Sequence, residues 1–132
     1  MKNSHIRTRI VAALLLLTPV AVTTGCLAVA AGAAGAGTVA YIRGELDASL
    51  GHNLDTVDRA ANRAAEQLRF VKISESADAI SRVITLRTAE DKKVEVHLNR
   101  TSDTLTRVRI RVGVFGNESL SRLFLERLQS NL

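Results

Sequence analysis

Residues 107–128, RVRIRVGVFGNESLSRLFLERL, change period part way along. Val108, Ile110, Val112 and Val114 form an inward set against Arg107, Arg109 and Arg111, the alternation of a strand with one buried face. Gly113 and Gly116 bracket Phe115 and mark the strand's end. Asn117 can then cap a helix with Leu120, Leu123, Phe124 and Leu128 on its apolar side. A half-apolar strand running into a half-apolar helix needs one core shared by both.

Working upstream, Val94, Val96 and Leu98 alternate with Glu95, His97 and Asn99, and Ile80, Ile84 and Leu86 alternate with Ser81, Val83, Thr85 and Arg87. Phe70, Val71 and Ile73 begin a further short strand. Thr88 to Lys93 and Arg100 to Thr104 are polar reversals, which together predict an antiparallel meander. Before it, Leu50, Leu54, Val57, Ala61, Ala64 and Leu68 recur at spacings of four and three. They describe an amphipathic helix with Ser49 or Asn53 as cap. A strand is also possible near Thr38 to Leu46. The expected class is α+β, an antiparallel sheet of about four strands packed against two amphipathic helices, over residues 43–132.

The whole chain has 132 residues with a formal net charge of +5. Lys2, Arg7 and Arg9 are three of its 18 basic residues, so the remainder carries 15 against 13 acidic ones. That near balance is not the one-sided surface of a nucleic-acid binder, and no nucleic-acid partner is expected. With a single cysteine, neither an internal disulfide nor a cysteine-based zinc knuckle is available.

That cysteine has a telling place. Residues 1–9 are polar and basic, and Ile10 to Val22 is apolar apart from Thr18 and Pro19, the layout of an export signal. Gly25 directly before Cys26 resembles the lipobox of bacterial lipoproteins. The resemblance implies a signal peptide over 1–25, cleavage between Gly25 and Cys26, a diacylglyceryl thioether on Cys26 and acylation of its new amino group. In the competing reading Cys26 is a thiol beyond an ordinary cleavage site, and Thr23 stands where a lipobox usually has Leu. By analogy with lipoprotein sorting, Leu27 rather than Asp after the cysteine points to the outer membrane, with the chain facing the periplasm and the inner membrane as the alternative. Residues 26–42, ending LAVAAGAAGAGTVAYI, carry no charge. They read either as a Gly-rich tether or as a membrane-associated helix with small-xxx-small faces.

No catalytic set emerges. His5 lies in the leader, His52 precedes a helix, and His97 alternates outward beside Glu95 and Asn99, without metal-ligand spacing. There is no GxSxG, and the glycines near Gly32 to Gly37 lack the Lys and Ser/Thr of a phosphate loop. Glu90 and Asp91 share a reversal with Lys92 and Lys93, as solvated turn charges do. No cofactor, metal or enzymatic activity is expected. Arg107, Arg109 and Arg111 are the exception: at alternate strand positions they project from one face about 6.6 Å apart. They form a candidate anion-binding stripe for lipid phosphate, murein carboxylate or an acidic protein. The bland alternative is a solvated face balanced by acids on neighbouring strands, such as Glu95.

YIRGEL, TAEDKKVEV and above all RVGVFGNESLSRLFLERL resemble the small bacterial lipoprotein family called domain of unknown function 3568. The resemblance implies a lipoprotein with a compact envelope domain and carries no catalytic residues. The expected function is a lipid-anchored, non-catalytic envelope module that supports an assembly or binds an envelope protein or anionic component. The alternatives are a small envelope-acting hydrolase or transferase, or a membrane-associated protein that oligomerises through its Gly/Ala segment.

Overall fold

A computed structural model describes residues 36–132. The signal peptide, Gly25 and Cys26, and the Ala/Gly segment as far as residue 35 lie outside the described residues. In chain order the elements are β1 (Ala36–Ile42), β2 (Glu45–Leu50), α1 (Leu54–Gln67), β3 (Val71–Ala77), β4 (Ser81–Arg87), β5 (Lys93–Ser102), β6 (Leu105–Val112) and α2 (Glu118–Gln129). The six strands form one sheet in the order β1-β2-β6-β5-β4-β3, with every neighbouring pair antiparallel.

The core is one layer between sheet and helices. Leu46, Ala48 and Leu50 of β2, Ile84 and Leu86 of β4, Val94, Val96 and Leu98 of β5, and Val108, Ile110 and Val112 of β6 are all buried on the same side. Against them lie Leu54, Val57, Ala60, Ala61, Ala64 and Ala65 of α1 and Phe124, Leu125 and Leu128 of α2. The alanines of α1 keep its contact surface thin, so the helix can sit close to the strands.

Local signals fix the helix ends. Asn53 accepts a hydrogen bond from the Thr56 backbone N–H at 2.8 Å, and Asn117 accepts one from that of Leu120 at 3.0 Å, each satisfying a donor that the helix itself leaves open. At the far end of α1, Arg69 adopts a left-handed φ of 56°, with bonds from Arg69 N–H to Glu66 and from Phe70 N–H to Ala65. This is a Schellman closure, and it turns Phe70 onto α2, where its ring stacks on Phe124 with centroids 6.2 Å apart.

The α+β class and antiparallel sheet agree with expectation, but the sheet has six strands rather than about four. The two additional strands are β1 and β2, and β1 hides from alternation because it lies in the uncharged Ala/Gly stretch, ahead of the boundary expected at residue 43. β3, expected from Phe70, Val71 and Ile73, is an edge strand that starts at Val71 and is exposed along its whole length. The single strand considered near Thr38 to Leu46 is instead a hairpin. Arg43 and Gly44, with φ of 54° and 81°, make a two-residue turn of the kind whose twist suits antiparallel strands. Leu50 and Ser49 therefore belong to β2 and not to α1, and Asn53 is the cap.

Three further positions differ from expectation. Ile80 sits in the β3–β4 turn, exposed, where Asp78 accepts backbone hydrogen bonds from Ile80 and Ser81. Leu123 is exposed and Leu125 takes its place in the core, because α2 is rotated about its axis relative to the expected face. Val114 lies past the end of β6 and is 80% exposed.

Candidate functional site

Both helices cover one face of the sheet, and among the described residues nothing covers the other. Arg107, Arg109 and Arg111 lie together on that open face of β6, as the alternation predicts. The neighbouring strands bring up opposite charges. Glu45 and Asp47 of β2 flank the stripe on one side, and Glu95 and His97 of β5 flank it on the other.

Side-chain contacts run along diagonals of the ladder. Arg107 faces Ser49 directly but donates from Nε to both carboxylate oxygens of Asp47, at 2.9 and 3.1 Å, and its Nη2 bonds the same group. Those bonds hold the Asp47 carboxyl below its ordinary range against partial burial, which acts the other way, and they raise the Arg107 guanidinium in turn. Arg109, facing Asp47, has Glu45 at 3.6 Å. The shift by one step leaves Arg111 without such a partner: it faces Glu45 and Glu95, yet its guanidinium donates to the Val114 carbonyl at 3.3 Å. Glu95 is held instead by Lys93 at 2.7 Å, which lowers its carboxyl, with His97 and Arg111 adding to the effect.

The stripe is thus graded. Its Arg107 end is neutralised beside a shallow depression of about 350 Å³ that includes Thr38, Ser49 and Thr101. Its Arg111 end opens onto a larger one of about 570 Å³ lined by Lys92, Lys93, Glu95, Arg111 and Val114. The balancing acids anticipated on neighbouring strands are present. Glu45 and Asp47, the closest of them, alternate with Leu46 and Ala48, and that alternation could have placed them on this face from sequence.

The remaining candidates are scattered. His97 sits mid-strand between Val83 and Arg109. His52 uses its backbone carbonyl to accept the Thr106 hydroxyl at 2.9 Å, at the opposite end of the sheet from the Arg43–Gly44 turn. Glu90 and Asp91 make turn ion pairs with Lys92 and Arg87, at 2.6 and 2.7 Å. Among the described residues no group of three or more His, Cys, Asp and Glu side chains converges as metal ligands would.

One polar cluster escaped sequence reasoning. On the helix-covered side, near the β3 edge, Arg82 lies between Asp55 at 3.3 Å and Asp58 at 3.9 Å, and Asn62 donates to the Asp58 carbonyl at 3.0 Å. Burial, and after it the nearby Glu75, push the Asp58 carboxyl up. Asp55, Asp58 and Asn62 lie on one side of α1 at helical spacing, but their meeting with Arg82 depends on how α1 crosses β4, which spacing does not encode.

Among the described residues, no helix is long and apolar enough to cross a membrane. The sequence model of a family described as "Protein of unknown function (DUF3568)" matches residues 9–131. No curated protein matches the chain.

Proposed function

The chain belongs to the DUF3568 family, and we propose that it is a lipid-anchored envelope protein whose folded part is a non-catalytic binding module. Acyl chains on Cys26 hold it to the outer membrane, facing the periplasm, and the open sheet face meets an anionic envelope component or an acidic protein surface. The leader, with Gly25 before Cys26, supports the anchor, because each buried methylene of a lipid chain contributes about 0.8 kcal/mol and several chains hold a small domain firmly.

The observation that carries the binding reading is one-sided coverage. Two helices bury one face of a six-stranded sheet, while the other presents three arginines in line on a central strand. Guanidinium groups at strand spacing suit bidentate contact with carboxylate or phosphate.

Two measurements test this reading. The intact mass of the membrane-extracted protein should correspond to a chain beginning at Cys26 and carrying acyl groups, and Cys26→Ser should release it from the membrane fraction. A soluble product retaining Met1 and a free thiol overturns the anchor. Replacing Arg107, Arg109 and Arg111 together by Gln should abolish sedimentation with murein sacculi or anionic vesicles in the Cys26→Ser background. Unchanged binding overturns the stripe.

A further inference from the structure

The end of the sheet beyond Arg111 carries a feature that anion binding does not use. Phe115 is 93% exposed, Val114 80% and Ile42 62%. Three apolar side chains at the tips of two adjoining turns are costly to leave in water unless they meet something.

They are held out by rigid backbone. The Arg43–Gly44 turn of the β1–β2 hairpin packs against the Gly113–Gly116 turn that joins β6 to α2. A Cβ on Gly44 would lie 2.5 Å from the Phe115 carbonyl oxygen, and one on Gly116 would run into the Gly44 Cα and lie 2.5 Å from the Tyr41 hydroxyl. Gly44, Gly113 and Gly116 all have positive φ, conformations that glycine adopts without strain. The two turns brace each other, so Phe115 projects from a fixed platform, and little ordering cost remains on binding.

The charges beside this tip choose its partner. Lys92, Lys93 and Arg87 are occupied by Glu90, Glu95 and Asp91. Arg43 and Arg111 differ. Among the described residues neither has a carboxylate within 4.0 Å; Arg43 stands in the β1–β2 turn and Arg111 near the end of β6, just before the other turn. Exposed aromatic and aliphatic side chains flanked by unpaired guanidinium groups match the layered chemistry of a bilayer surface, with acyl chains below and phosphate above.

We propose that Phe115, Val114 and Ile42 form a membrane-contacting tip that inserts into the interface of an anionic phospholipid bilayer, with Arg43 and Arg111 on lipid phosphates. This rests on the reading that the module works at a bilayer, and adds a second contact to the lipid on Cys26. The nine residues between Cys26 and Ala36 can span up to about 30 Å, and β1 itself covers about 23 Å, so the tip can reach the surface that holds the anchor. Docked this way, the module has a fixed orientation, with the open sheet face standing at an angle to the membrane.

The chain has no tryptophan, so a single introduced indole reports its own surroundings. The full chain carrying Phe115→Trp is reconstituted into vesicles of phosphatidylcholine with about 30% phosphatidylglycerol. The control is Thr104→Trp in the exposed β5–β6 turn at the opposite end of the sheet. Emission from position 115 should shift to the blue and be quenched by brominated lipid at least about twofold more strongly than emission from 104. Val114→Trp serves as a second reporter should Phe115→Trp alter the fold. Adding Arg43→Gln and Arg111→Gln should bring quenching down to its level on pure phosphatidylcholine, and no change would overturn the phosphate contacts. A chain that floats with the vesicles but shows equal quenching at 115 and 104 overturns the tip alone and leaves the patch to a protein partner. A chain that does not float overturns both the tip and the anchor.

Discussion

Arg107 reaches past its cross-strand neighbour Ser49 to fork onto Asp47, with Nε 2.9 and 3.1 Å from the two carboxylate oxygens. The diagonal reach repeats at Arg109 and Glu45, and it is why the third arginine of the row is left over. The same register that lines up three like charges along β6 also sets β2 to neutralise two of them.

Asp47 and Asp58 should therefore show opposite pH signatures. The Asp47 carboxyl is lowered from its ordinary value of 3.8, so its contribution is present above that value and is lost as pH falls through the lower folded value. The Asp58 carboxyl is raised, so it costs stability once pH rises through its folded value, and the cost is absent below 3.8. Asp47→Asn should lower Tm at neutral pH and Asp58→Asn should raise it, each by about a few degrees at most, since both groups are only partly buried and keep some contact with solvent. Both differences should close as pH falls below the ordinary carboxylate value. Thermal scans from neutral to acid pH check this, and differences of the same sign for the two variants would refute it.

Phe124 is the largest side chain fully enclosed by the core and carries the Phe70 ring on its face. Phe124→Ala should cost about 3–5 kcal/mol, the range for a buried aromatic whose site cannot collapse. That is a large share of a small domain's stability. Phe70 is only partly buried, so Phe70→Leu should cost clearly less. Urea denaturation of the two variants gives both numbers, and similar costs would mean that the stacking, rather than enclosure, dominates.

What the sequence made legible follows from where alternation is forced. The apolar residues of β4, β5 and β6 that period two sends inward, Ile84, Leu86, Val94, Val96, Leu98, Val108, Ile110 and Val112, are all buried, because those strands have a helix layer on that side. Asn53 and Asn117 were readable as caps for a reason internal to the backbone. The edges were less readable. β3 was legible as a strand from Val71 and Ile73, but both are exposed, so they declare no face, and β1 draws on Ala and Gly, whose side chains are too small to declare one. The arginine stripe was visible as a row; its grading was not, because it depends on diagonal contacts between strands 60 residues apart.

Gly113 and Gly116 separate two kinds of glycine requirement. Both have positive φ, so a side chain at either should cost about 1–2 kcal/mol in backbone strain. A Cβ on Gly113 meets nothing within 4 Å, whereas one on Gly116 overlaps the Gly44 backbone. Gly116→Ala should therefore destabilise clearly more than Gly113→Ala, and should also loosen the β1–β2 hairpin, seen as faster amide exchange at Tyr41 and Glu45. Equal costs would show that the two turns can part without penalty.

The grading of the stripe predicts unequal arginines. Arg107 already satisfies a carboxylate, so an incoming anion must compete with Asp47 for it, while Arg111 offers its guanidinium to a single backbone carbonyl. On the binding reading, Arg111→Gln should weaken sedimentation with anionic murein more than Arg107→Gln does. Asp47→Asn should strengthen it, since removing the internal competitor frees Arg107 at no loss of positive charge. All three variants should keep the wild-type dependence of stability on urea, because these side chains lie outside the core. Equal losses for Arg107→Gln and Arg111→Gln, with no gain for Asp47→Asn, would mean that net charge alone governs the interaction and that the register of β2 against β6 has no part in it.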